Sequence, residues 1–179
     1  MGRRLLELSA ASLSRKLDYP DFPEFAQYGI EMSFLSKSLI YTLQSIRSSS
    51  QIPIIPSPVE GGWYRHDGDE GSRHYVGPKE CIVRLSDAGD VFAARGRVLE
   101  CWLRFQESKS VRGLGVYSDT NGPDGKLWPM IHFDLRPSSS RLFWARENRE
   151  DYYYLHSDPG NFFRVIGRII EMEKIHASV

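Results

Sequence analysis

The stretch 130–136, "MIHFDLR", constrains the fold of this chain more than any other feature. Apolar and polar residues alternate along it, and the polar ones are His132, Asp134 and Arg136. Such alternation predicts a strand with one apolar and one polar side. The polar side has two interpretations. It is either a rigid base for a metal ligand and an acid/base group or the exposed face of a half-buried sheet, which is the more common case.

Other segments have the periodicity of helices or strands. Apolar spacing predicts helices over 31–47 and 87–105, and Asp158-Pro159 is typical of the start of a last helix that runs to about Lys174. Strands are predicted at 52–55 (an edge strand, because of Pro53), 82–85, 113–117 and 141–145, the last as the hairpin partner of 130–136. The proline- and glycine-containing stretch 56–80 is predicted to be a loop.

The order of these elements indicates the fold class. Strands and helices are intermixed without regular alternation, which favours an α+β fold with a small antiparallel sheet and helices packed on it. A chain of 179 residues is long enough for one domain with its own core. We therefore predict an N-terminal arm over 1–30 and a single domain over 31–179.

Charge and hydropathy argue against some partners. The 23 basic and 23 acidic residues balance, so there is no electrostatic case for binding nucleic acid. No apolar stretch is long enough to span a bilayer. Glu7 interrupts the short apolar run that follows Arg3 and Arg4, so we predict synthesis in the cytoplasm without a signal peptide.

Three potential zinc ligands are spread over the chain. His74 and Cys81 lie in "EGSRHYVGPKECIV", residues 70–83, and His132 lies in the predicted strand. Two ligands are too few for a structural site. Three protein ligands and a water are the arrangement of a catalytic zinc.

Three stretches together resemble a known family. "SRHYVGPKEC" resembles the Ser-x-His-x-x-Gly-x-Ala-x-Asp motif of the zinc D-Ala-D-Ala carboxypeptidases and the phage L-alanyl-D-glutamate endolysins. "GLGVY" followed by "MIHFDLRP" is similar to their second motif, and "LIYTLQSIRSSSQIPIIPS" is similar to the helix and strand that precede the first. The resemblance covers about residues 31–145, in the family's order.

The resemblance implies roles for individual residues. His74 and His132 would be the first and last zinc ligands, and Cys81 would occupy the position of the middle ligand, normally Asp. Ser72 would support the loop or the substrate. Arg65, in "PSPVEGGWYR", is the best counterpart of the family's carboxylate-binding arginine, although a solvated loop arginine is the more common case. Lys79 replaces the motif's alanine.

The acid/base group departs from the family's pattern. The position three residues before the last histidine, often Glu or Asp in the family, is Pro129 here. Asp134 is the remaining candidate for activating a zinc-bound water. Alternatively, Asp134 only orients His132 or binds Arg136.

The implied function is zinc-dependent hydrolysis of peptidoglycan stem peptides, of the D,D-carboxypeptidase or endopeptidase type. Peptidoglycan peptide would be the substrate and other phage proteins possible partners, in a phage lysis module or virion. Two alternatives remain. One is an inactive homologue that serves as a phage structural or cell-wall-binding protein, favoured by Cys81 and Pro129. The other is an intracellular amidase that acts on a different peptide.

One further motif stands outside this set. The run "YYY" at 152–154 is either a stacking platform for a sugar or base, or a sheet edge that is half core and half surface. The second interpretation is the more common case.

Overall fold

A six-stranded mixed sheet forms the centre of the fold. The structure, a computed structural model, describes residues 22–177. The strands are Ile54–Pro56 (β1), Ala88–Ala93 (β2), Gly113–Tyr117 (β3), Met130–Asp134 (β4), Leu142–Arg146 (β5) and Tyr152–Tyr154 (β6). Their order is β1-β2-β4-β3-β5-β6, and every neighbouring pair is antiparallel except β3 and β5. The α+β class is confirmed. The prediction of a purely antiparallel sheet is wrong, because β3 and β5 are parallel.

Within residues 22–177, four α-helices accompany the sheet: Pro23–Gln27 (α1), Lys37–Ser50 (α2), Val98–Glu107 (α3) and Pro159–Ala177 (α4). The Ser36 hydroxyl accepts a hydrogen bond from the Leu39 N–H (3.2 Å), so α2 begins at Lys37 rather than at residue 31. A short 3-10 helix, Met32–Phe34, precedes it. The α4 helix begins where the sequence predicts. None of the described helices has the length and hydropathy that crossing a bilayer requires.

The helices cover one face of the sheet and form the core with it. The α3 helix packs on β2, β3 and β4, and α4 packs on β5 and β6. Phe105 of α3 lies 4.7 Å from Phe133 of β4, measured between ring centroids, and both rings are buried. Phe22 and Phe25 are also buried in this core, although they fall within the predicted arm. Residues 1–21 of that arm lie outside the described residues.

The predicted helix over 87–105 is wrong in its first half. Residues Ala88–Ala93 are strand β2, and the helix begins only at Val98. The β2 strand lies between β1 and β4, so both of its edges gain ladder hydrogen bonds. Gly89 weakens a helix at this point, while Val91 and Phe92 suit a strand.

Two strand predictions also need correction. The predicted hairpin partner of 130–136 is a strand, β5, but it pairs with β3 and β6. The β4 strand already has β2 and β3 as its neighbours, so neither edge is free. Residues 82–85 form no strand, and Ile82, Val83 and Leu85 are exposed. The β1 strand lies at the sheet edge as predicted.

Candidate metal centre

The sheet register places two potential metal ligands side by side. Asp90 of β2 lies directly opposite His132 of β4 in the antiparallel pair. Their side chains therefore project from the same face of the sheet, the face opposite Phe133 and the helices. Asp90 Oδ1 lies 2.8 Å from His132 Nδ1. Local strand geometry thus supplies one carboxylate and one imidazole.

A loop brings the second imidazole onto this pair. The His74 carbonyl accepts from the Arg65 N–H (2.9 Å), and the Val76 N–H donates to the Arg65 carbonyl (3.0 Å). The Arg84 guanidinium also donates to the carbonyl oxygens of Ser72 and Tyr75. These bonds hold the loop over the sheet, and the His74 side chain is buried there.

The three side chains form a compact set of donors. His74 Nε2 is 3.2 Å from His132 Nδ1 and 3.7 Å from Asp90 Oδ1. An ion with tetrahedral ligands at about 2.0–2.1 Å needs ligand atoms about 3.3 Å apart. The observed separations lie on both sides of that value. His74, Asp90 and His132 therefore fit a metal ion, and within residues 22–177 no other group of histidine, cysteine, aspartate and glutamate does.

The two imidazoles have opposite protonation tendencies. Burial lowers the pKa of His74 to about 4, so its ring is neutral at pH 7 and offers a lone pair. Burial also acts to lower the pKa of His132, but hydrogen bonds to Asp134 and Asp90 outweigh it and raise the pKa to about 9. With this pKa, His132 carries a proton at pH 7, and a cation bound here would replace that proton.

Asp134 orients His132 from behind. Its Oδ2 lies 3.4 Å from His132 Nε2, on the side away from Asp90 and His74. Burial opposes the ionisation of Asp134, but hydrogen bonds from Arg136 and His132 outweigh it and lower the pKa of the carboxyl group well below its usual range. A carboxylate that holds the second nitrogen of a ligand histidine is the usual support of a metal centre. Of the two roles that the sequence left open for Asp134, the contacts favour the positioning role.

Two glycines of β3 make room for the centre. Gly113 lies opposite Asp134 and Gly115 lies opposite His132. A Cβ at Gly113 would overlap with the Asp134 carboxylate, and one at Gly115 would overlap with the Trp144 indole. The glycines of "GLGVY" therefore let side chains from the neighbouring strands lie close to the β3 backbone.

Cys81 does not join this group. Gly77 has a positive φ of 107°, and the Val83 N–H bonds back to the Val76 carbonyl (2.9 Å). These features close a tight surface loop that leaves Cys81 exposed. The structure thus corrects the predicted middle ligand: Asp90 stands beside the two histidines in place of Cys81.

Ser72 and Arg65 lie beside the metal group. The Arg65 guanidinium donates to the Ser72 hydroxyl, which also accepts from the His74 N–H (3.3 Å). Within residues 22–177 Arg65 has no acidic partner, and its Nε is buried without a hydrogen bond. Ser72 therefore supports the loop, while Arg65 keeps donors for a ligand.

The group lies at the bottom of a cleft of about 790 Å³. One wall is the loop that carries Arg65, Ser72 and His74. The other wall is formed by residues of β3, β5, β6 and the segments that follow them: Tyr117, Asp119, Asn121, Trp144, Arg146, Arg149, Tyr152 and Tyr154. The interpretation of the β4 polar side as an exposed sheet face is wrong, since His132 is 7 % exposed and Asp134 is fully buried.

The sequence itself contains a signal for Asp90. Ala88-Gly89-Asp90 has the Ala-x-Asp pattern that ends the first motif of the family, but it lies nine residues later than Cys81. The helix predicted over 87–105 is incompatible with this signal, because a helix does not bring Asp90 beside a strand residue; the observed strand β2 does. No protein-family model, no curated protein and no solved structure matches the chain at a significant level.

Replacing Asp134 with asparagine is expected to weaken the binding of a metal ion such as zinc 10- to 100-fold, because His132 loses its charged partner. Competition with a chromophoric chelator measures the dissociation constant. The matched control is Asp119→Asn, which removes another ion-paired carboxylate of the cleft, bound to Arg146 (3.0 Å), and should leave zinc affinity unchanged. An unchanged metal affinity of the Asp134→Asn variant would contradict the positioning role.

Proposed function

We propose that the protein is a zinc-dependent hydrolase of peptide bonds whose substrates are peptidoglycan stem peptides. The observation that carries the proposal is the buried His74-Asp90-His132 group at the bottom of an open cleft. Two histidines and one carboxylate are a donor set of catalytic zinc, which leaves a position for water or substrate. The open cleft offers a peptide access to that position.

The order of the motifs supports the same family of reactions. With Asp90 as the middle ligand, the first motif becomes Ser72-x-His74-x-x-Gly77 followed by Ala88-x-Asp90, with an insertion of nine residues. Much of that insertion corresponds to the surface loop that carries Cys81. His132 completes the set from the second motif. The resemblance therefore supports a histidine, aspartate and histidine set, as in the carboxypeptidases and endolysins.

Each polar group around the cleft has a distinct role in this proposal. Zinc held by the three ligands would supply Lewis acidity and a water of lowered pKa. Asp134, fixed by Arg136, would hold the His132 ring in place. Arg65 would bind a substrate carboxylate through its free donors, and Ser72 would fix the angle of that guanidinium.

The biological setting follows from the substrate and is part of the proposal. An enzyme that cleaves stem peptides suits a phage lysis module or a virion component. Other phage proteins would then be its partners.

An inactive, wall-binding homologue is the second candidate. Pro129 favours it, because proline cannot supply the acid/base group that many relatives have at that position. The other argument for it, a cysteine in the ligand set, is weakened because Cys81 lies outside the metal group.

Metal analysis and a muropeptide assay together test the proposal. We expect one zinc per chain and release of new amino groups from purified muropeptides, lost on chelation and restored by zinc. Iron in place of zinc would contradict the assignment, since the same ligand set also serves iron enzymes. Stoichiometric zinc without cleavage of any muropeptide would support the inactive homologue.

Arg65→Ala is expected to raise KM for a muropeptide about 10- to 100-fold, with a smaller change in kcat. A charge-assisted hydrogen bond contributes about 1.5–3 kcal/mol, which corresponds to that factor. Steady-state kinetics on stem peptides with a free or an amidated carboxylate measure the change in KM. On the amidated peptide, wild type and Arg65→Ala should have similar KM values. Arg97→Ala, an exposed arginine outside the cleft, is the control. Equal KM values for wild type and Arg65→Ala would show that Arg65 does not bind the substrate carboxylate.

A further inference from the structure

A row of side chains continues from the metal group across the sheet. Gly115 of β3 lies opposite His132 on one side and opposite Trp144 of β5 on the other, and Trp144 lies opposite Tyr154 of β6. Residues opposite each other in adjacent strands face the same side of the sheet. The row therefore runs from Asp90 through His132 to Tyr154. From β4 to β6 it crosses three strand spacings, about 14 Å.

Aromatic rings occupy the far end of this row. Trp144 is buried, with its ring centroid 5.1 Å from that of His132 and 6.4 Å from that of Tyr154. Tyr152 and Tyr154 line the cleft and are 40 % and 36 % exposed. Tyr153 faces the opposite side, where Arg164 of α4 lies over its ring. Only one of the three tyrosines of "YYY" is thus used for packing against a helix.

Polar groups surround the exposed rings. The Arg146 guanidinium donates to the Tyr152 hydroxyl (3.5 Å) and is held by Asp119 (3.0 Å). Arg149 lines the cleft and has no hydrogen-bond or ion-pair partner in the described part of the chain. Asn121 lines the same wall. This side of the cleft therefore combines flat rings with hydrogen-bond donors and acceptors.

That combination fits a saccharide better than a peptide side chain. A sugar ring presents C–H groups on its faces, which pack on aromatic rings, and hydroxyl groups around its rim, which need planar polar partners. Tyrosine offers both an apolar ring and a polar end. An apolar peptide side chain would use the rings but leave Arg149 and Asn121 without a role.

We propose that the wall formed by Trp144, Arg146, Arg149, Tyr152 and Tyr154 is a saccharide-binding subsite. Combined with the proposed function, on which this step rests, the preferred substrate is a stem peptide still attached to an N-acetylated amino sugar. The sugar lies on the tyrosines of β6, and the peptide extends along the row to the metal group. Free stem peptides are poorer substrates because they leave this wall empty.

Oligosaccharide binding tests the subsite independently of hydrolysis. The probe is an N-acetylglucosamine trimer, titrated into the zinc-loaded full chain by calorimetry or NMR. Tyr152→Ala and Tyr154→Ala are each expected to weaken binding about 10-fold, and both variants should fold because these rings are exposed on an edge strand. Tyr41→Ala, an exposed tyrosine of α2 that does not line the cleft, should bind as wild type. No binding at millimolar trimer, or equal binding by all variants, would overturn the subsite.

A kinetic comparison completes the test. The tyrosine variants should lose kcat/KM about 10-fold on glycan-linked stem peptides and keep it on free stem peptides. An equal loss on both substrates would show that the rings contact the peptide, which overturns the proposal. Asp90→Ala should still bind the trimer. Trimer binding without any hydrolysis would contradict the proposed function while supporting the subsite.

Discussion

Zinc affinity is expected to fall by at least about 100-fold when Asp90 is replaced by alanine. Bound zinc contributes about 10–16 kcal/mol in structural sites, so one of three protein ligands accounts for roughly 3 kcal/mol or more. Asp90 Oδ1 lies within 3.7 Å of a nitrogen of each histidine, so its loss opens one side of the donor set. Chelator competition measures the dissociation constant, and Asp90→Asn tests the charge with little change of shape.

Cys81→Ser is the matched control for this prediction. The thiol is exposed and lies outside the metal group, so the serine variant should bind zinc as tightly as wild type. Circular dichroism on each variant without zinc separates loss of a ligand from loss of the fold. If Cys81→Ser lost zinc and Asp90→Ala kept it, the ligand set described here would be wrong.

Phe133→Ala is expected to lower the free energy of unfolding by about 3–5 kcal/mol. The ring is fully buried on the helix face of β4, 4.7 Å from Phe105 and 6.2 Å from Trp63 between ring centroids. Its removal leaves a cavity between α3 and the sheet. Since domains are stable by only about 5–15 kcal/mol, the variant loses a large share of the total. Denaturant titration in the presence of chelator measures the change without a contribution from bound zinc.

Phe163→Ala provides the comparison for this second prediction. Phe163 lies on α4 and is 60 % exposed, so the same change should alter the free energy of unfolding by less than about 1 kcal/mol. Similar losses for both variants would mean that the helix face of the sheet is not the main core. A normal stability for Phe133→Ala would argue against the packing of α3 on β4.

Local patterns accounted for much of the fold. Alternation in 130–136 and the glycine-flanked "GLGVY" predicted two central strands correctly, and Asp158-Pro159 predicted the start of α4. Each pattern depends on the spacing of side chains within one element. His74 and His132 could likewise be chosen from residue chemistry and motif order alone.

The third metal-group residue, Asp90, could not be identified from the motif alone, because its Ala-x-Asp pattern lies nine residues later than the motif's spacing places it. Asp90 becomes a neighbour of His132 only because β2 pairs with β4 in one register. A shift of one residue would turn the Asp90 side chain to the helix face. The six residues of β2 lie just before a true helix, and periodicity over so short a run does not separate strand from helix.

The sequence by itself determined the α+β class, the polar side of β4 and two of the three residues of the metal group. Tertiary structure alone decided that Asp90 and not Cys81 stands beside them, that β5 runs parallel to β3, and that the polar side of β4 lies buried beneath a loop. The physical reason is the range of the interactions involved. Side-chain periodicity is local, whereas the choice of strand neighbours and register depends on which distant segments can satisfy each other's backbone hydrogen bonds and bury each other's apolar faces.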